Sequence, residues 1–180
     1  LLLRDLGNTL IQIRENKREG FYKGLVADQI VDEMQKNNGL ISHVDLESYR
    51  SVWREPIVFP YKNYNIITMG PPSSGGIVLA QLMKMTSIFD VAEMGFHSHS
   101  SVHLMSEIER RAFADRSKYL GDPDFYDIPQ DQLLDSIYLI KRLNSINFSH
   151  ATSSDSIYPG ELLLEESDET THFSIVDEDG

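Results

Sequence analysis

Two adjacent threonines, Thr170 and Thr171, are the residues whose type and position point most directly to chemistry. They follow an acidic run ending at Glu169 and open the stretch TTHFSIV. A threonine hydroxyl is a weak nucleophile unless a base lies beside it, and a free α-amine on the same residue is such a base. Thr170 gains that amine only if the Glu169–Thr170 bond is cleaved, which can occur when its own hydroxyl attacks the Glu169 carbonyl to give an ester that water hydrolyses. The residue types alone favour a structural role, because Thr favours strands.

A loop of glycine, proline and serine, GPPSSGG at 70–76, precedes an apolar stretch that predicts a helix. Glycines and hydroxyls in that position could bind phosphate at the helix N-terminus, but the loop lacks the Gly-Lys-Ser/Thr ending of a P-loop. Around Ser74 the first glycine of a Gly-x-Ser-x-Gly nucleophile elbow is also absent. We therefore predict a structural loop that caps the helix.

Three histidines, His97, His99 and His103, lie within seven residues, and Glu107 follows one helical turn after the last. That spacing could hold a metal ion on one helix face, yet nothing in the sequence supplies partners that would orient the ligands. DEDG at 177–180 contains only the start of a calcium-loop pattern. We predict neither a metal site nor a cofactor.

Composition excludes several classes of protein. A formal net charge of -12 argues against nucleic-acid binding, and the lack of cysteine excludes disulfides, thiolate zinc sites and Cys nucleophiles. No apolar run approaches the roughly 20 residues that span a bilayer. Since the sequence begins with neither a Met nor a signal peptide, we expect it to be an excerpt from a longer protein.

Hydrophobic spacing predicts helices joined by one hairpin and ending on a strand. In the helix at about 99–118 we expect Leu104, Met105, Ile108 and Ala112 to face inward, with Glu107 pairing with Arg111. The fold class is helix-dominated α+β. The predicted elements are an amphipathic helix over 1–15 (Leu3, Leu6, Leu10, Ile13) broken after it by Gly20 and Gly24, a helix over about 25–37 (Leu25, Val26, Ile30, Met34 on one side), a short helix capped by Ser42, a hairpin near 51–69, a buried helix at 77–85, helices over about 99–118 and 130–143, a polar connector over 144–169, and a strand from Thr171.

Four stretches in order resemble the γ-glutamyltranspeptidase (glutathione hydrolase) family, from the later large subunit into the first residues of the small subunit. They are FYKGLVADQIVDEMQKNNGLISHVDLESY, GPPSSGGIVLAQLM, ADRSKYLGDPDF and TTHFSIVDEDG. The resemblance covers most of 1–130 and 168–180 and implies an N-terminal-nucleophile (Ntn) hydrolase with an α/β/β/α sandwich, made as a precursor that cuts itself. Residues 1–169 would then end the large subunit, and 170–180 would form the first strand of the small subunit.

The resemblance assigns the nucleophile to Thr170, the first threonine of a Thr-Thr-His-aromatic-Ser motif, and autocleavage to Glu169–Thr170. Thr171, His172 and Ser174 would support the site. The implied substrates are glutathione or other γ-glutamyl compounds, with water, an amino acid or a peptide as acceptor, in a periplasmic or extracellular enzyme. The remaining partner would be the rest of the precursor, without nucleic acid or membrane contact in this segment.

Most of the family's other site residues would lie outside the chain, and one position inside it departs from the common pattern. The family's arginine for the substrate carboxylate and its Ser-Ser and Gly-Gly elements would lie beyond 1–180, so we expect the isolated segment to be inactive. Phe173 stands where many relatives have Tyr. Two alternatives remain open: an Ntn amidase with another acyl group, either acylase-like or capsule-anchoring, and a non-catalytic helical scaffold.

Overall fold

Helices dominate the computed structural model, which describes residues 3–162. Two strands form the only sheet in that range, an antiparallel hairpin. The elements are α1 (Arg4–Asn16), α2 (Glu19–Tyr22), α3 (Gly24–Lys36), α4 (His43–Ser48), β1 (Ile57–Tyr61), β2 (Tyr64–Thr68), α5 (Gly75–Thr86), α6 (His99–Tyr119), α7 (Gln130–Leu133), α8 (Ser136–Asn144) and a 3-10 turn (Ser154–Ser156).

The chain divides into two compact units, with the boundary after Trp53. In the first unit α3 and α4 share a small core of Ala27, Val31 and Leu46. The predicted cap at Ser42 is confirmed: its hydroxyl accepts from the Asp45 N–H at 3.4 Å. The Asp45 carboxylate accepts from the Ser42 N–H at 2.8 Å, which completes a capping box.

Side-chain burial in this unit departs from the periodic pattern. Helix α1 forms where predicted but buries none of its residues. Leu25, expected on the inner face of α3, is 61% exposed, whereas its neighbour Val26 is buried. Gly20, predicted to break the chain between helices, lies buried inside the short helix α2. The spacing of apolar residues by three and four positions therefore located the helices of this unit but did not identify which of their faces are buried.

The second unit begins with the predicted hairpin. Its strands are shorter than the predicted range near 51–69, since pairing runs from Ile57 with Thr68 to Tyr61 with Tyr64. Ile57 and Phe59 point to one side and are almost fully buried, as the period of two in a strand requires. The turn needs only Lys62 and Asn63, so Tyr61 belongs to a strand and not to the turn.

The main core surrounds α5 and α6. Ile77, Ala80 and Met85 of α5 are buried, which confirms the prediction that this helix is largely enclosed. Each fully buried aliphatic side chain contributes about 1.5–3 kcal/mol. Gly76, the second residue of α5, lies against the end of the hairpin, where a Cβ would be 1.9 Å from the Met69 carbonyl oxygen. Only glycine fits at this close approach.

Helix α6 buries Leu104, Ile108 and Ala112 as predicted. Met105 is a correction: it is 37% exposed and lines an open cavity of about 590 Å³ beside residues 91–97. The single helix predicted over 130–143 is also wrong. The chain forms α7 and then α8, because the Asp135 carboxylate accepts from the N–H groups of Ile137 and Tyr138 and starts a new helix.

The residues that follow α8 make one 3-10 turn and otherwise run as irregular chain to 162. The predicted C-terminal strand lies outside the described residues. Within 3–162, no helix combines the length and the apolar character needed to cross a membrane.

Candidate functional site

The residues predicted to carry the chemistry, Glu169, Thr170, Thr171, His172 and Ser174, all lie outside the described part of the chain. Their roles stay predictions. The structure does describe the two other candidate sites, at 70–76 and on the first turns of α6, and most of the connector that leads to Thr170.

The GPPSSGG loop has a structural arrangement, although not the predicted one in every detail. Ser74 stands at the N-cap of α5 but its hydroxyl makes no capping bond. It accepts a hydrogen bond from Arg116 Nε at 2.8 Å, which joins the loop to α6. The Ser73 hydroxyl accepts from the Gly75 N–H at 3.4 Å instead. These contacts occupy both hydroxyls and join the loop to its surroundings.

The histidine cluster is not arranged around a metal. The rings of His99 and His103 stack with centroids 6.1 Å apart, and His103 Nε2 lies 2.8 Å from the Asn147 carbonyl oxygen. Glu107, which the spacing placed as a third ligand beside His99 and His103, is buried and engaged elsewhere. No group of three or more His, Cys, Asp or Glu side chains between residues 3 and 162 could hold a metal ion.

Glu107 is instead the centre of a buried polar cluster that sequence reasoning recognised only in part. Its carboxylate contacts Arg111 Nη1 at 2.5 Å, which confirms the predicted pair, and Arg110 Nη1 at 3.0 Å. It also accepts from the backbone N–H of Thr152 at 2.9 Å and from the Thr152 hydroxyl at 2.7 Å. One carboxylate on α6 thus binds the connector through two hydrogen bonds.

Arg111 extends this cluster to the end of α8. Its Nε donates to the Ser145 hydroxyl at 2.7 Å, and its Nη2 donates to the Ser145 carbonyl at 2.6 Å. Because only 2% of the Arg111 side chain is exposed, its charge depends on Glu107 for compensation.

A second buried carboxylate, Asp115, lies two turns further along α6. Arg142 Nη2 is 3.0 Å from one of its oxygens, Oδ1, which also accepts from the Gly160 N–H at 2.9 Å. Arg142 Nη1 donates to the Tyr158 carbonyl at 2.9 Å, and the Tyr119 hydroxyl donates to the Gly160 carbonyl at 2.5 Å. We call Glu107, Arg111, Asp115, Tyr119 and Arg142 the anchor network.

Electrostatics keep the Glu107 carboxyl ionised. Burial by itself raises its pKa, but the hydrogen bonds from Thr152 and Arg111 outweigh burial and lower the pKa to about 2. Nearby, burial and then the charge of Asp115 raise the pKa of Tyr138. A carboxylate this acidic and fully paired has no proton to donate near neutral pH, so Glu107 binds the connector and does not act as an acid.

Sequence reasoning missed Asp115, Tyr119 and Arg142. One signal was present: Glu107, Arg111 and Asp115 recur every four residues beside the apolar positions of α6, which places three charges on a single stripe. A charged stripe on a helix whose other positions are buried requires buried partners. Their identity, on residues 152–160, could not be read from local spacing.

Comparison with known proteins now bears on the whole chain. The family model described as Gamma-glutamyltranspeptidase matches residues 1–180. The chain belongs to the γ-glutamyltranspeptidase family. This confirms the resemblance drawn from the four sequence motifs.

Relatives and solved structures agree with this family. The chain is 44% identical over 180 residues to the glutathione hydrolase proenzyme of Escherichia coli, covering 100% of the chain and 31% of that protein. It is 36% identical over 177 residues to an Acylase ACY 1 proenzyme from a Pseudomonas species, covering 98% and 31%. The structure of Helicobacter pylori γ-glutamyltranspeptidase matches with a TM-score of 0.78 and 40% identity, over 93% of this chain and 48% of that one. The chain therefore spans about a third of the length of the curated relatives it matches.

Proposed function

We propose that the full-length protein containing these residues is a γ-glutamyl transferase and glutathione hydrolase. The observation that carries the proposal is the family match across 1–180. It includes the stretch TTHFS, and the chain is 44% identical to a protein named glutathione hydrolase proenzyme. The mature protein would adopt the α/β/β/α sandwich of an Ntn hydrolase, to which the described helices and hairpin contribute one part.

The word proenzyme in the relatives' names supports a processing step. In that step the Thr170 hydroxyl oxygen attacks the Glu169 carbonyl carbon, the carbon–nitrogen bond breaks, and the hydroxyl proton ends on the released amine. Water then hydrolyses the ester, which leaves a Glu169 carboxylate and restores the Thr170 hydroxyl. One water molecule is consumed for one peptide bond, and residues 1–169 and 170 onward become separate subunits.

The freed amine of Thr170 then serves as the base for catalysis, since an α-amine has an ordinary pKa of roughly 7.7–8.0. The hydroxyl attacks the γ-glutamyl amide carbonyl, the amine of the leaving group departs with a proton, and a γ-glutamyl ester forms on Thr170. Water or the amino group of an amino acid or peptide accepts the acyl group. Thr171, His172 and Ser174 would support the strand and the site around the nucleophile.

Turnover of a γ-glutamyl anilide by the full-length protein tests this proposal. We expect release of the aniline by the wild type and none by Thr170→Ala, because the substitution removes the attacking oxygen. Thr171→Ala is the matched control and should retain measurable turnover. A wild-type protein that splits before Thr170 but leaves the γ-glutamyl anilide intact would contradict the proposed substrate.

The second candidate is an acylase of the same class, favoured by 36% identity to the Acylase ACY 1 proenzyme. A glutaryl anilide differs from the γ-glutamyl substrate only in lacking the α-amino group. Preference for the glutaryl compound would therefore identify an acylase. The non-catalytic scaffold would be favoured if neither anilide were cleaved and the protein stayed whole.

A periplasmic or extracellular location fits this family assignment. We propose that the full-length protein is exported, and fractionation of the native cells would test it. Recovery of the protein with cytoplasmic markers would contradict the proposal.

A further inference from the structure

Helix α3 ends in an Asn-Asn-Gly stretch, residues 37–39, on the chain that leads to α4. Asn38 has a φ of 54°, in the left-handed region that asparagine adopts more readily than most residues. The Gly39 N–H donates to the Met34 carbonyl at 2.7 Å, which closes the last turn of the helix. The stretch is therefore an ordered helix end.

The two asparagines of this stretch are held differently. The Asn37 amide donates to the backbone carbonyl of Glu33 at 3.0 Å and to its carboxylate at 2.8 Å. Asn38 is exposed, and its side chain makes no hydrogen bond within residues 3–162. The Asn38 amide is therefore free to turn towards the backbone that follows it, whereas the Asn37 amide is restrained.

Gly39 removes a steric obstacle beside the Asn38 amide. Asparagine is a thermally labile residue, because the backbone nitrogen of the next residue can attack its side-chain carbonyl carbon. A side chain on that next residue obstructs the attack, and glycine has none. Asn38–Gly39 is the one Asn–Gly pair in the sequence. A residue with a side chain follows each of the other asparagines, which are Asn8, Asn16, Asn37, Asn63, Asn65, Asn144 and Asn147.

The hydrogen bond from Gly39 to Met34 opposes the attack. While the Gly39 N–H donates to that carbonyl, its nitrogen cannot both lose the proton and turn towards the Asn38 side chain. The bond lies at a helix end, where local opening costs less than in the middle of a helix. One hydrogen bond of ordinary net strength lowers the open fraction about two- to tenfold, so it slows the reaction without preventing it.

We propose that Asn38 is a site of spontaneous deamidation whose rate is limited by opening of the Gly39–Met34 hydrogen bond. The Gly39 nitrogen bonds to Asn38 Cγ, the bond from Cγ to Nδ2 breaks, and ammonia leaves with the proton of the Gly39 N–H. Water then opens the five-membered imide and leaves aspartate or isoaspartate at this position. One water molecule is consumed and one ammonia is released. The inference does not depend on the γ-glutamyl chemistry.

Either product changes the end of α3. A carboxylate at position 38 lies just past the C-terminus of the helix, where the helix dipole disfavours negative charge. Isoaspartate also adds one carbon to the main chain, so the Gly39 N–H no longer keeps its place relative to the Met34 carbonyl. We expect the last turn of α3 to loosen as the protein ages.

Peptide mapping by mass spectrometry after incubation of the full-length protein at mildly alkaline pH tests the proposal. We expect the mass gain of one deamidation at Asn38, and none over the same period at Asn37 or at Asn63, an exposed turn residue that precedes Tyr64. Part of the product should accept a methyl group from an isoaspartyl methyltransferase, because direct hydrolysis of the amide yields aspartate alone. A free peptide of residues 34–42 should react about two- to tenfold faster than the folded protein.

A pair of variants tests the structural consequence. Asn38→Asp imitates the aspartate product, and the Gly39 N–H should exchange about two- to fivefold faster, as an unfavourable charge at a helix end implies. Asn63→Asp makes the same charge change in the hairpin turn and should leave that exchange at the wild-type rate. Asn38→Gly retains the left-handed conformation and should abolish the mass gain.

Several results would overturn the inference. The first is no mass gain at Asn38, and the second is an equal gain at Asn63, which would mean that Gly39 has no influence. Aspartate without isoaspartate would exclude the imide. A free peptide that reacted no faster than the folded protein would show that the hydrogen bond to Met34 does not limit the rate.

Discussion

The structure allows us to calculate how much the replacement of Glu107 by Gln should destabilise the contact with the connector. Glutamine has nearly the same shape but is neutral, so it imitates a Glu107 that cannot ionise. The folded environment lowers the Glu107 pKa from 4.5 to about 2. Since one pKa unit corresponds to about 1.4 kcal/mol, folding favours the ionised form by about 3 kcal/mol. With 1% of the side chain exposed, solvent screening reduces this value little.

Hydrogen exchange of the connector measures that loss where it occurs. The Thr152 N–H donates to Glu107, so its exchange reports the local opening of the connector. A loss of about 3 kcal/mol corresponds to exchange on the order of a hundredfold faster at pH 7 in Glu107→Gln. The exchange of a peptide from α5, whose residues make no hydrogen bond to Glu107 within residues 3–162, should change far less.

The control is Glu109→Gln on the same helix. Glu109 is exposed and makes no hydrogen bond or ion pair within residues 3–162, so exchange at Thr152 should stay at the wild-type rate. Two results would refute the reasoning: unchanged exchange in Glu107→Gln, or equal acceleration in both variants. Either one would mean that the ionised Glu107 does not hold the connector.

Three further predictions concern pH, a cap and a close contact. Because the folded pKa of Glu107 lies below its ordinary value, the stabilisation by its ionised form is complete above about pH 4.5 and disappears as the pH falls towards 2. The ratio of Thr152 N–H exchange rates between Glu107→Gln and wild type should therefore approach one as the pH falls through that range. A ratio that stayed constant would contradict the assignment. Ser42→Ala should destabilise α4 by about 1 kcal/mol, seen as faster exchange of residues 43–48, with no change expected there from Ser51→Ala, since Ser51 is exposed and lies outside α4. Gly76→Ala should lower the melting temperature, because the added Cβ would clash with Met69. Gly7→Ala in α1 should raise the melting temperature slightly, since a Cβ there has no atom within 4 Å and alanine favours helix. A higher melting temperature for Gly76→Ala than for Gly7→Ala would refute the steric argument.

Local chemistry made much of the fold predictable. The serine at 42 with an aspartate three residues later encodes its own helix start, and the structure has that capping box. Two β-branched and aromatic runs beside a short polar turn encode the hairpin. The four-residue spacing of Glu107 and Arg111 on one helix encodes their ion pair. Each of these features depends on residues that are near neighbours in sequence.

The wrong predictions share one physical cause: contacts with residues that are distant in sequence, or a competing helix start, override the local apolar pattern. Between 130 and 143 the apolar period continues, but Asp135 binds two backbone N–H groups and begins a separate helix. Met105 follows the period of α6 yet borders a cavity, because what faces it is determined by the tertiary fold. The same limit applies to Thr152 and Gly160, each 45 residues from the carboxylate that binds it.

The catalytic assignment depended on a different kind of information. A Thr pair at the start of a strand has an ordinary structural explanation, and only the resemblance to γ-glutamyltranspeptidases made Thr170 a candidate nucleophile. The family is now shown across the whole chain, while the role of Thr170 remains a prediction for experiment.

The intact mass of the full-length protein after incubation, beside that of Thr170→Ala, tests the central claim most directly. We predict that the wild type yields two fragments whose masses place the break between Glu169 and Thr170, and that the variant remains whole because it lacks the attacking hydroxyl. If both proteins remained whole, or if both were cut at the same bond, Thr170 would not be a self-processing nucleophile.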